Sequence, residues 1–183
     1  MAVIWFLYIL ILLLCMTNCS FSLFQASLTH FSSKLACGVA NFGIAHWPSF
    51  LQNTAAHRRA ARRLEYGDET DPRIREFLER ISPLNNASKI TIPLSIAHGE
   101  TDSRVTVEEA LRMQDIVSRN GVYTELMVCE KEGHGKSPTK IPYDKQIRTQ
   151  YPGFKQKSVI EFTNAAKLHF LERFLLFKAQ PAL

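Results

Sequence analysis

Three short apolar runs set the terms for this chain. "ACGVANFGIA" (36–45) and "IPLSIAHG" (92–99) each read as a buried strand and "VYTELMVCE" (122–130) as a third strand, and stretches of helical periodicity separate them. Strand, helix, strand in succession implies parallel pairing through crossovers, hence an α/β fold with a mostly parallel sheet. The expected strands cover about 37–45, 92–98 and 123–129, with four main helices around them.

The first helix is expected inside "HWPSFLQNTAAHRRAARRLEYGD", after a loop, with Trp47, Phe50 and Leu51 on its apolar side. Asp71–Pro72 is a good opening for the second, because Pro is tolerated in the first turn; Ile74, Phe77, Leu78 and Ile81 then recur at helical spacing. Thr106 is placed to cap a third, which Gly121 would stop. "SVIEFTNAAKLHFLERFLLFK" (158–178) reads as a long amphipathic fourth. No internal repeat is present.

Composition narrows the function classes. At 183 residues and 46% hydrophobic, the chain can bury one domain's core. Its net charge of +5 is a mild excess. Arg58/Arg62 and Arg59/Arg63 share one helical face, but no aromatic or Gly-rich partner motif accompanies them. They read as a solvated face, and no nucleic-acid partner is expected. Cys15, Cys19, Cys37 and Cys129 form neither a CxxC pair nor a zinc spacing, so they read as buried thiols. No metal and no cofactor is expected. Asn86-Ala87-Ser88 is a glycosylation sequon that matters only in a secreted chain.

In open α/β sheets, function collects at the carboxyl ends of the strands. Asp102 follows the "IPLSIAHG" run and His134 follows "VYTELMVCE". Neighbouring strands would bring the two loops to one edge. An acid beside an imidazole is the orienting half of nucleophilic catalysis, since the acid fixes the tautomer that lets His take a proton. Gly133 and Gly135 are expected to turn the backbone sharply and leave the ring facing a substrate. The chain order, acid then His, is that of the α/β-hydrolases, in which Ser precedes both. Asp102 and His134 are therefore the candidate catalytic pair.

Longer stretches extend this. "LTHFSSKLACGVANFGIAHWPSFLQNT", "RLEYGDETDPRIREFLERISPLNNASKI", "PLSIAHGETDSRV", "GVYTELMVCEKEGHG" and "FLERFLL" together resemble the C-terminal part of a prolyl oligopeptidase family catalytic domain, close to its dipeptidyl-peptidase and acylaminoacyl-peptidase branch. The resemblance runs from about Ala26 to Phe177. It implies an incomplete α/β-hydrolase fold, with Asp102 and His134 as the acid and base of a serine peptidase. It also implies a peptide substrate for the full-length enzyme, and usually a β-propeller upstream.

The chain departs from that family in two places. The nucleophile elbow, G-x-S-x-G-G, should lie shortly before "LTHF", where the sequence reads "CMTNCSFSLFQA". By register Asn18 falls near the nucleophile, with Cys19 and Ser20 beside it, and no Gly occurs before Gly38. An elbow without glycine strains the turn and misplaces the oxyanion donors. No nucleophile is therefore assigned, and the chain as written is expected to be inactive. After Gly135 comes "KSPTKIPYDKQIRTQYPG" (136–153), where the family runs straight on into its last helix. This insertion holds Lys136, Lys140, Lys145 and Arg148 against one acid, Asp144, and so supplies +3 of the +5.

Residues 1–25, "MAVIWFLYILILLLCMTNCSFSLFQ", carry no charge and resemble a signal or anchor, though they lack a basic n-region and are short for a span. If genuine, they make the protein membrane-bound or secreted; otherwise the cytoplasm is expected. The rival to the peptidase is then a membrane-tethered, non-catalytic pseudo-hydrolase that binds a partner. A small esterase using Ser20 or Cys19 is a third reading. The other account of both anomalous segments is translated intron. Gly-Lys-Ser can hold a GTAAG donor, Pro-Gly a CAG acceptor, and Thr-Asn a CTAAC branch sequence. Under that account the mature transcript lacks the codons for 1–25 and 136–153, and genomic DNA without GT and AG at these junctions excludes it.

Overall fold

The computed structural model describes residues 27–134 and 153–176. Three strands form one parallel sheet in the order β1-β2-β3: β1 (Gly38–Asn41), β2 (Leu94–Gly99) and β3 (Thr124–Cys129). Gly38 lies opposite Leu94, Leu94 opposite Thr124, and Gly99 opposite Cys129. β2, the middle strand, is buried along its whole length, which explains an apolar run without alternation.

β1 is shorter than the apolar run suggested. Phe42 takes a left-handed conformation (φ 54°) and turns the chain out of the sheet after Asn41. Nothing in the composition of "ACGVANFGIA" marks that turn, because an aromatic residue rarely adopts it.

Five complete α-helices lie among the described residues where four main ones were expected, and residues 27–30 are helical as well. The segment expected to hold a loop and one helix holds two: α1 (Trp47–Asn53) and α2 (Ala56–Tyr66). Thr54 between them is extended (ψ 146°) and breaks the pattern. α3 (Pro72–Ile81) opens as its residues imply, with the Asp71 carboxylate accepting from the Arg73 amide at 2.8 Å and Pro72 at the first position. α4 (Val107–Arg119) connects β2 to β3. Thr106 stands at its N-cap without making the cap bond through its side chain. α5 (Lys157–Leu171) ends in a π-turn, Glu172–Leu176.

The two faces of β2 part the core. Ile96 and Leu94 join Ala110, Met113 and Val117 of α4, together with Leu84 and Ile90. Ala97, on the opposite face, meets Phe42, Cys129, Phe154 and Val159 of α5. α1 and α3 build a separate cluster from Phe50, Leu51, Leu78 and Val105. The middle strand thus has helices on both sides, as parallel sheets require.

Polar side chains secure the connections. The Arg63 guanidinium grips the buried Glu69 carboxylate in a two-pronged pair (2.9 and 2.5 Å) and so folds the "EYGDE" turn back on α2. His46, which caps α1, reaches Glu79 of α3 at 2.8 Å, and its amide donates to the buried Glu109 of α4 at 2.6 Å. Asn86 spends its side-chain amide on the carbonyls of Arg80 and Ser82, both at 3.0 Å, so the sequon's acceptor nitrogen is already bonded. Cys37 and Cys129 are buried free thiols. No helix among the described residues is long and apolar enough to cross a membrane. Residues 1–25, including Cys15, Cys19, Asn18 and Ser20, and nearly all of the 136–153 insertion lie outside the described residues.

Candidate active site

The loops after β2 and β3 are joined before any side chain is considered. The Glu100 amide donates to the Cys129 carbonyl (3.0 Å), and the Thr101 amide and hydroxyl both donate to the Glu132 carbonyl (2.8 and 2.9 Å). This crossing needs glycine at position 99. A Cβ there would sit 2.6 Å from the carbonyl oxygens of Glu132 and Gly133, closer than packed atoms tolerate. The sharp turn expected at Gly133 falls instead at Lys131 (φ 58°), whose amide donates to Glu100 (3.1 Å). Gly133 itself has room for a Cβ, at ordinary contact distance from the Thr101 carbonyl (3.6 Å). Gly135 lies outside the described residues.

The result is that Asp102 and His134 meet. His134 Nδ1 is 2.6 Å from Asp102 Oδ2. The other carboxylate oxygen accepts the Arg104 and Val105 amides at 2.8 and 3.1 Å, an Asx-type turn that aims the group. The Asp102 side chain is fully buried, whereas that of His134 keeps 18% exposure. An acid out of solvent with a partly exposed imidazole is the arrangement proton transfer needs: the acid holds the ring at Nδ1, which leaves the far nitrogen, Nε2, to take the proton. The Phe42 ring meets the imidazole edge to face at 5.4 Å, so the strained residue after β1 packs against it.

Sequence reasoning passed over two further residues. Glu132 is completely buried, and its carboxylate accepts the Lys155 and Gln156 amides at 2.8 and 2.7 Å. It therefore ties the His loop to the residues that open α5. Its place just before "GHG" was the available signal. His98, the next-to-last residue of β2, is also completely buried, 3.6 Å from Asp102 Oδ2. It read as part of an apolar strand, and only its polarity within that run marked it. Among the described residues no group of His, Cys, Asp and Glu could hold a metal ion.

Electrostatics follow the geometry. Burial pushes the Asp102 carboxyl up, but the His134 ring and the two amides outweigh burial and hold it below the ordinary carboxylate range. The folded state therefore binds this proton less readily than the unfolded chain does. The stability that Asp102 contributes is present above the unfolded titration, near pH 4, and is lost as pH falls through the lower folded value. Denaturation of the chain and of Asp102→Asn is expected to show a stability gap that closes below about pH 4. A gap that is unchanged at about pH 3 contradicts this account of the carboxylate.

The prolyl oligopeptidase family profile matches residues 22–157. No protein among those with curated descriptions matches the chain. Solved structures share its fold. The uncomplexed acylaminoacyl peptidase of Pyrococcus horikoshii superposes with a TM-score of 0.62 at 21% identity, over 81% of this chain and 22% of that one. An orthorhombic crystal form of the same protein gives 0.67 at 20% identity, over 91% and 24%. A puromycin-hydrolyzing peptidase of Mycobacterium tuberculosis gives 0.63 at 18% identity, over 82% and 20%. The chain thus spans about a fifth to a quarter of the length of these proteins. Its parallel sheet with flanking helices is an incomplete α/β-hydrolase fold, and the chain belongs to the prolyl oligopeptidase family.

Proposed function

We propose that Asp102 and His134 are the acid and base of a serine-type peptidase, acting by acyl transfer on the peptide bonds of short substrates. The observation that carries this is the 2.6 Å contact between Nδ1 and Oδ2 at the carboxyl ends of two adjacent parallel strands. Family membership supports the class of chemistry. In the reaction, His134 Nε2 takes the proton of an attacking hydroxyl and then returns it to the leaving amine. Asp102 keeps Nδ1 protonated and stabilises the imidazolium that forms between the two steps. The hydroxyl comes from a G-x-S-x-G-G elbow, which "CMTNCSFSLFQA" does not provide. The chain as written is thus the acid–base half of the site, and no metal or organic cofactor enters the scheme.

Given a fluorophosphonate probe and a chromogenic acyl-peptide, this chain is expected to be neither labelled nor active. In a catalytic domain completed by the elbow, Asp102→Asn is expected to lower kcat by about four orders of magnitude and His134→Ala by about six. Labelling of Ser20, or an Asp102→Asn enzyme with undiminished kcat, contradicts the assignment.

A further inference from the structure

His98 has a role that its burial alone does not explain. Its Nε2 lies 2.9 Å from the carbonyl oxygen of Val105. A carbonyl only accepts, so Nε2 carries the hydrogen, and in the neutral ring Nδ1 is bare. Nδ1 is buried and makes no hydrogen bond. Val105 is thereby held twice, because its amide donates to Asp102 Oδ1 at 3.1 Å while its carbonyl accepts from His98. His98 also touches the Phe42 ring (centroids 5.7 Å apart), the same ring that meets His134 at 5.4 Å.

We propose that His98 is a positioning residue: as the neutral Nε2–H tautomer it locks the Asp102–Val105 turn, so that Asp102 presents Oδ2 to His134. This rests on the reading of Asp102 and His134 as acid and base. His98 itself touches no reacting atom.

The same geometry makes the lock sensitive to acid. A second proton on His98 would place a donor at Nδ1 with no acceptor, and a cation 3.6 Å from the oxygen that His134 uses. The charged groups that act on His98 are Asp102, Glu108 and Glu109, which favour its cation, and His134, which opposes it; Phe42 packs against the ring. Burial outweighs the acids and holds the ring below the ordinary imidazole range. The stability of the neutral form is therefore complete above the unfolded titration, near pH 6.5, and declines as pH falls from there through the folded value.

The test is proton NMR of this chain, following the strongly deshielded His134 Nδ1–H as a reporter of the pair. Asp102→Asn must abolish the signal in an otherwise folded chain. His98→Phe fills the space but leaves the Val105 carbonyl unpaired; it is expected to move the signal upfield and to speed its solvent exchange roughly tenfold. His98→Gln, which restores a donor near Nε2 and cannot titrate, is expected to recover the signal and keep it to lower pH than the parent chain. A His98→Phe spectrum with the parent's shift, exchange and pH dependence overturns the proposal. If His98→Phe does not fold, the pH arm decides: a His98→Gln signal lost at the same pH as the parent's overturns it too. Absence of any Asp102-dependent proton in the parent chain refutes the acid–base pair itself, and the proposal with it.

Discussion

Gly99 stands opposite Cys129 at the ends of β2 and β3, and the His loop passes over it with no space for a side chain. That contact makes the site possible. Parallel pairing sets the two strand ends level, and the bonds from Glu100 and Thr101 then zip the loops together. Asp102 and His134 meet because the backbones beneath them already do. The site is thus carried by regular structure rather than by two independent loops, which is how a pair of side chains can be held to hydrogen-bond distance.

Buried carboxylates do much of the remaining work. Asp102, Glu69, Glu109 and Glu132 are all withdrawn from solvent, and each is met by donors: amides for Asp102 and Glu132, the Arg63 guanidinium for Glu69, and the His46 amide with the Ser49 hydroxyl for Glu109. An unmet carboxylate in such places would cost several kcal/mol, so each of these acids fixes the segment that supplies its donors. Glu132 matters most for continuity. It fastens the residues after the insertion to the loop that precedes it.

Much of this was legible in the sequence, for definable reasons. Apolar runs without alternation meant strands buried on both faces, and the parallel sheet has that property at β2. Asp71–Pro72 named a helix start through chemistry that acts within a few residues. What could not be read was set by contacts between distant segments. The left-handed Phe42 is tolerated because its ring is enclosed by His98, His134 and Phe154. The break at Thr54 runs against the helical pattern of its neighbours. Gly133 invited the sharp turn that Lys131 makes, because Glu100, thirty-one residues away, accepts the Lys131 amide. The pairing of Asp102 with His134 was inferred from strand ends and chain order, and His98 and Glu132 stayed hidden because their partners are loop backbone atoms.

The central claim is that Asp102 holds His134 with Nδ1 protonated and Nε2 bare, ready to accept a nucleophile's proton. Long-range nitrogen–proton correlation of the His134 ring, recorded on the neutral form, reads this tautomer directly. The account predicts a protonated Nδ1 and an unprotonated Nε2, changing to the tautomer mixture of a free imidazole in Asp102→Asn. A parent chain in which Nε2 carries the hydrogen, or whose tautomer is indifferent to Asp102, would contradict it.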